Sequence, residues 1–222
     1  VFAPVLAGLV GNLGLTPAQA GGLCAPGSPL DHYEARQQVP ATASARGQLI
    51  VSGWACEMRV LVDGRRQIFS FLMPGDLSIP PAGGRRPPFA LMALTPLNCR
   101  ALREPKPPEA PILAAALTAG RRLNETLRYD ALLRMGHLTA LERTVHLLLE
   151  LRNRMLINGT ACGDSFDLPI TQGQLGDALG LSLVQVHRTL KALRRQALIR
   201  LEDQRFTLLQ RERLELLAAG YG

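Results

Sequence analysis

A chain of 222 residues with 47% hydrophobic side chains and both charge signs is long enough for two modest domains, which excludes disorder as its main state. Its 25 Lys and Arg against 18 Asp and Glu leave a formal charge of +7, pointing to a polyanionic partner without naming one. Four scattered cysteines, Cys24, Cys56, Cys99 and Cys162, form no C-x-x-C pair, so they signal neither a disulfide framework nor a zinc knuckle and fit reduced thiols in a cytoplasmic protein.

The first twenty residues, VFAPVLAGLVGNLGLTPAQA, are uncharged and end in an A-x-A pattern. A secretory leader normally opens with Lys or Arg, yet the first basic residue is Arg36. Gly8, Gly11, Gly14 and Asn12 break the run too often for a membrane span. The expectation is a short helix packed on the domain behind it, followed by irregular chain from Gly21 to Gly47.

From Leu49 the runs LIVSG, ACEMRVLV, RQIFSFLM, FALMAL and LNCRAL are short and bounded by turn residues, as in the strands of a barrel or sandwich. Asp63-Gly64 signals a tight hairpin, because both residues tolerate the positive φ such turns demand. Pro74-Gly75-Asp76 marks a second reversal. IPPAGGRRPP, Ile79 to Pro88, reads as a loop because each proline removes a ladder donor. EPKPPEAP, Glu104 to Pro111, is a domain boundary.

Beyond it the period becomes helical. From Ile112 to Met135, apolar or small residues recur at Ile112, Ala116, Ala119, Leu123, Leu127 and near Leu133, and a helix of this length suits pairing with a second copy along that stripe, with Ala116, Ala119 and Gly120 allowing close approach. Gly136 interrupts the pattern as a candidate hinge. Thr139-x-x-Glu142 has the capping-box form and opens a helix from Ala140 to Leu156.

Thr171-x-x-Gln174 and Ser182-x-x-Gln185 repeat that form, with Gly180-Leu181 as the turn between two helices. Leu175 and Leu179 of the first, and Val186, Leu190, Leu193 and Ala197 of the second, are expected in the core. Leu183, Val184, His187, Arg188 and Lys191 then fall on the opposite face. From Pro169 to Arg200, five basic residues stand against Asp177 alone. This is helix-turn-helix geometry, whose second helix enters the DNA major groove. LIRLE and RFTLL around Asp203-Gln204 look like a two-stranded wing.

Three segments, SGWACEMRVLVDGRRQIFSFLMPGDL (Ser52 to Leu77), RMGHLTALERTVHLLLELRNRM (Arg134 to Met155) and LPITQGQLGDALGLSLVQVHRTLKALRRQALI (Leu168 to Ile199), resemble the Crp/Fnr transcription regulators in content and order. The resemblance covers most of Leu49 to Leu217. It implies an α+β chain: a sensor β-barrel of the double-stranded β-helix or jelly-roll type over 1–110, a dimerisation helix over 111–136 and a winged helix-turn-helix over 137–222. It also implies a homodimer on a pseudopalindromic double-stranded DNA site, with RNA polymerase as a candidate further partner.

On this reading Leu183, Val184, His187 and Arg188 are the base-reading candidates. Thr171, Gln172, Ser182, Lys191, Arg194 and Arg195 are the phosphate candidates. The interval Leu77 to Leu91, LSIPPAGGRRPPFAL, lacks the Gly-Glu pair of the cyclic-nucleotide-binding members, so cyclic AMP is not expected and Arg85 and Arg86 read as solvated. Cys24 stands alone where iron-sulfur members carry clustered cysteines. Haem stays open, with His32, Cys24 and Cys56 as candidate axial ligands, although Cys56 reads as core. The alternative is a haem, redox or partner-binding module whose helix-turn-helix is not used for specific DNA binding. An enzyme or a metal site is not expected: the barrel segment holds only His32, and no P-loop or Ser/His/Asp order appears.

Overall fold

The computed structural model describes residues 3–24, 29–40, 45–80, 89–103 and 110–219. The loop residues 81–88, which include Arg85 and Arg86, and most of the proline-rich boundary at 104–109 lie outside the described residues. The chain divides into two compact units, one of Val1–Arg59 with Phe69–Leu127 and one of Val60–Ile68 with Arg128–Gly222.

The first unit opens with helices α1 (Ala3–Gly11) and α2 (Pro17–Cys24). Strands β1 (Asp31–Tyr33), β2 (Gln38–Val39), β3 (Ala45–Ser52), β4 (Ala55–Val60), β5 (Arg66–Leu72), β6 (Leu77–Ser78), β7 (Ala90–Ala93) and β8 (Leu97–Arg103) follow. They form two four-stranded sheets, ordered β1-β8-β3-β6 and β2-β7-β4-β5. Alternation fixes which side chains meet between the sheets. Ile50, Leu97 and Cys99 from the first sheet join Val39, Ala55, Leu72, Leu91 and Ala93 from the second in one core. The unit is therefore a jelly-roll sandwich. The segment 21–47, expected to be irregular, contributes the end of α2, the short strands β1 and β2, which are too brief to show a period, and the first residues of β3.

The opposite face of the first sheet carries a second core. Val5 and Leu9 of α1 and Ala20 and Leu23 of α2 pack with Leu49, Val51, Leu77 and Ile79 and with Leu113, Ala116 and Leu117 of the long helix α3 (Ala110–Gly136). Burying a Leu or Val side chain stabilises by about 1.5–3 kcal/mol, so this uncharged segment is an integral layer of the unit. At the Pro74-Gly75-Asp76 turn, Gly75 has φ +94°, and a Cβ there would stand 2.8 Å from Gly8 Cα and 3.0 Å from Val5 O. Only glycine lets α1 come this close. Asp76 Oδ2 closes the turn by accepting from Met73 N–H at 2.8 Å.

Much of the stripe expected to pair with a second copy packs in the core of the chain's own first unit. Ala116 is fully buried, Ile112, Ala119 and Leu123 pack against the same core, and Leu127 is buried. A Cβ on Gly120 would stand 2.7 Å from Ile79 Cδ1 and 3.0 Å from Leu77 Cδ1. The periodicity identified a largely buried face, and both kinds of element meet it: Leu77 and Ile79 stand against Gly120, and a Cβ on Gly22 of α2 would be 3.1 Å from Ile112 Cδ1. The large apolar side chains that α3 leaves exposed are Tyr129, Leu132, Leu133 and Met135, in its last two turns.

The second unit contains the β4–β5 hairpin tip, the end of α3, α4 (Ala140–Ile157), β9 (Ser165–Asp167), α5 (Gln172–Leu179), α6 (Leu183–Arg195), β10 (Ile199–Glu202), β11 (Arg205–Leu208) and α7 (Arg211–Ala218). Gly64 at the hairpin tip has φ +83°, and Asp63 Oδ1 accepts from Arg65 N–H at 3.1 Å. The end of α3 is held to α4 by a buried polar cluster. Arg134 Nη1 donates to Glu150 Oε2 at 2.6 Å and lies 3.2 Å from His146 Nδ1, while Arg154 Nη1 donates to Glu150 Oε1 at 3.2 Å. Gly136, read as a hinge, is bridged by this cluster, and the two units divide further back, between Leu127 and Arg128.

Candidate nucleic-acid interface

Each of the three C-terminal helices that frame the site starts with the capping box legible in the sequence. Thr139 Oγ1 accepts from Glu142 N–H at 3.4 Å while Glu142 Oε2 accepts from Thr139 N–H at 2.7 Å. That backbone donation holds the Glu142 carboxyl below its ordinary pKa. Thr171 and Gln174 make the same exchange at 3.2 and 2.7 Å, and Ser182 and Gln185 at 3.3 and 2.9 Å. Satisfying the orphan N–H groups at each start fixes where α5 and α6 begin.

The turn between them depends on two glycines. Gly180 caps α5 in the left-handed region at φ 64°, donating to Gly176 O. A Cβ on Gly176 would stand 2.6 Å from Leu181 O, so the chain folds back tightly only because Gly176 has none. Arg143 of α4 then ties the pair down, donating from Nε to Leu138 O at 2.7 Å and from Nη1 to Leu179 O at 3.3 Å. Sequence reading had no signal for this role, since nothing distinguishes Arg143 from other helix arginines.

Leu175 and Leu179 of α5 and Val186, Leu190 and Leu193 of α6 are buried, as their spacing required. Ala197 is not. It leaves the helix at φ +51°, is exposed, and hands its expected core place to Leu198, which is fully buried. The helix ends at Arg195, two residues too early for the period to reach Ala197.

The opposite face is open. Leu183 and Val184 are 60% and 59% exposed, large values for apolar side chains. His187, Arg188, Lys191, Arg194 and Arg195 share the exposed surface, with Thr171, Gln172 and Ser182 exposed at the two helix starts. The structure thus brings the base-reading and phosphate candidates onto α6 and the adjoining start of α5. Asp177, the one acid of the two helices, lies 3.0 Å from Arg66 Nε of the hairpin.

Behind the pair, β10 and β11 form the expected wing, with β9 as a third strand. Asp203 and Gln204 make its turn at φ 45° and 69°. Phe166 and Phe206 stack beneath it with ring centroids 5.9 Å apart. Arg152 fixes the approach to β9, donating to Gly163 O at 3.2 Å and to Asp164 Oδ1 at 2.6 Å.

The haem candidates sit on separate elements. His32, in β1, has both ring nitrogens 3.1 Å from partners, Asn98 Oδ1 and Glu34 Oε1, and these bonds raise its pKa. Cys24 ends α2 with its thiol pKa raised by burial, and Cys56 is fully buried in β4. Among the described residues no three His, Cys, Asp or Glu side chains gather as a metal-holding group, and no helix is long and apolar enough to cross a membrane.

Comparison with known proteins places these features in context. The Crp-like helix-turn-helix domain matches residues 142–217. The transcriptional activator protein FnrL of Cereibacter sphaeroides is 32% identical over 72% of this chain, and the chain spans 66% of that relative, just under two thirds of its length. The transcriptional activatory protein AadR of Rhodopseudomonas palustris is 30% identical over 77% of this chain and 72% of its own. Among solved structures, FixK2 from Bradyrhizobium japonicum superposes with a TM-score of 0.71 at 26% identity, covering 86% of this chain and 97% of that one.

Proposed function

This chain belongs to the Crp/Fnr family of transcription regulators, and we propose that it binds a pseudopalindromic DNA site as a homodimer, with α6 in the major groove of each half-site. The observation that carries this reading is the exposed face of α6, where Leu183, Val184, His187 and Arg188 stand together on a helix that contains no acid. Arg188 is placed to read guanine O6 and N7, and the apolar pair to meet thymine methyl groups. Lys191, Arg194 and Arg195, with Thr171, Gln172 and Ser182 at the helix starts, meet phosphates and set the register.

The jelly-roll unit is the sensor in this proposal, and its signal biases the fraction of dimers whose two recognition helices fit successive grooves. The second copy seats on the end of α3, centred on the exposed Leu132 and Leu133 with Tyr129 and Met135 beside them. The relatives are named as activators, which makes RNA polymerase the partner expected beside the bound dimer, and the cytoplasm the place of action. The reading assigns no catalytic step to the chain.

Selection from a random duplex pool tests the proposal. A palindromic consensus with salt-dependent affinity is expected, whereas uniform binding to all duplexes would contradict it.

A further inference from the structure

The reading face of α6 is chemically one-sided. Leu183 and Val184 have no hydrogen-bonding side chains, and Arg188 and Lys191 only donate. Gln185, also exposed, would ordinarily offer both an acceptor oxygen and an NH2 group. Here its Oε1 accepts from Ser182 N–H at 2.9 Å and from the Ser182 hydroxyl at 3.0 Å. Both lone pairs are used within the cap, and the NH2 group is what remains for another molecule. Thr189, the hydroxyl residue within α6, is buried. His187 alone keeps a ring nitrogen that accepts while the imidazole is neutral.

The major groove offers this face two kinds of group. Guanine O6 and N7 and thymine O4 accept, and thymine adds a methyl, whereas cytosine N4 and adenine N6 donate and need a protein acceptor. We infer that α6 reads its half-site chiefly through donors and apolar contacts, with Gln185 as an additional base-reading donor and His187 turned to an acceptor on the DNA by donating its ring N–H, so that guanine and thymine specify the contacted strand and the amino groups of cytosine and adenine go unread. The inference rests on the DNA-reading role proposed above. Gln185 is absent from the reading set that helical spacing alone suggests. What adds it is the cap, which orients the amide by holding its oxygen.

The experiment starts from the site selected from a random pool and replaces single bases in the duplex bound by the whole 222-residue chain. At contacted positions, 7-deazaguanine for guanine should weaken binding about five-fold or more, and uracil for thymine should also weaken it. Removing an exocyclic amino group, with purine for adenine or 2-pyrimidinone for cytosine, should change affinity by less than about two-fold. A loss of about five-fold or more from either amino deletion would overturn the inference. A pool that enriches no sequence would instead sink the DNA-reading role itself.

Gln185→Glu supplies the second arm. Glutamate preserves the capping box, which thermal unfolding checks, and adds an acceptor oxygen toward the groove. The selected consensus should then gain cytosine or adenine at one position per half-site. An unchanged consensus with unchanged affinity would remove Gln185 from the reading set and overturn its part of the inference.

Discussion

Arg134 Nη1 stands 2.6 Å from Glu150 Oε2, with the two side chains only 6% and 11% exposed, so the last turn of α3 is fastened to the middle of α4 by a buried ion pair. Because Arg154 reaches the same carboxylate at 3.2 Å, removing Glu150 leaves two buried guanidinium groups without that carboxylate. Glu150→Ala should cost about 3–5 kcal/mol of stability, read from urea unfolding, and an unchanged midpoint would show that the cluster is not structural.

His146 faces this cluster. Burial, and then the neighbouring Arg134 charge, lower its pKa below the ordinary 6.5, against the opposing pull of Asp130 and Glu150. The unfolded chain therefore takes up a proton at higher pH than the folded one does, and stability rises with pH in that window. The stabilisation is complete above about pH 6.5 and is lost as the pH falls from there towards the folded-state pKa. His146→Gln should flatten this part of the stability profile, and an identical slope in the variant would refute the assignment.

On DNA, two basic residues of α6 should fail differently. Arg188→Ala should lose about 1–3 kcal/mol of discrimination at one base pair per half-site. Lys191→Ala should weaken all sequences alike and reduce the salt slope by about one. Fluorescence anisotropy on matched and mismatched duplexes at several salt concentrations separates the two, and interchanged behaviour would reverse the roles.

The two faces of α3 also make opposite predictions. If the dimer seats as proposed, Leu132→Glu on the exposed face should shift the protein from dimer to monomer in sedimentation while its thermal unfolding stays cooperative. Gly120→Leu would overfill the contact with Ile79 and Leu77, and should cost about 1–3 kcal/mol of stability without dissociating the dimer. Dissociation by the Gly120 variant alone would return the interface to the stripe around Gly120.

Local chemistry made much of this molecule readable before any fold was known. The pairs Thr139 and Glu142, Thr171 and Gln174, and Ser182 and Gln185 located three helix starts, because a cap is a contact across three residues. The hairpin at Asp63-Gly64 and the wing turn at Asp203-Gln204 were legible for the same reason. What covers a helical stripe was not, since Ala116 and Gly120 would suit a second helix as well as the sheet they meet. Arg143, Arg134 and Glu150 were equally silent, because their partners lie 36 residues away in the first case and 16 in the others. Ala197 misled by obeying a period that the chain abandons after Arg195.

The cysteines turn the same architecture into a chemical clock. Burial pushes the Cys99 thiol up to about 12, and Cys56 shares its complete seclusion, while Cys162 lies exposed in the second unit. Alkylation requires a thiolate in contact with reagent, so Cys162 modifies at once, whereas Cys56 and Cys99 wait for the jelly roll to open. Mass spectrometry of a timed alkylation therefore measures the opening rate of the jelly-roll unit in the intact chain, and a molecule that tightens the sandwich will announce itself as a slower loss of those two thiols, even before its identity is known.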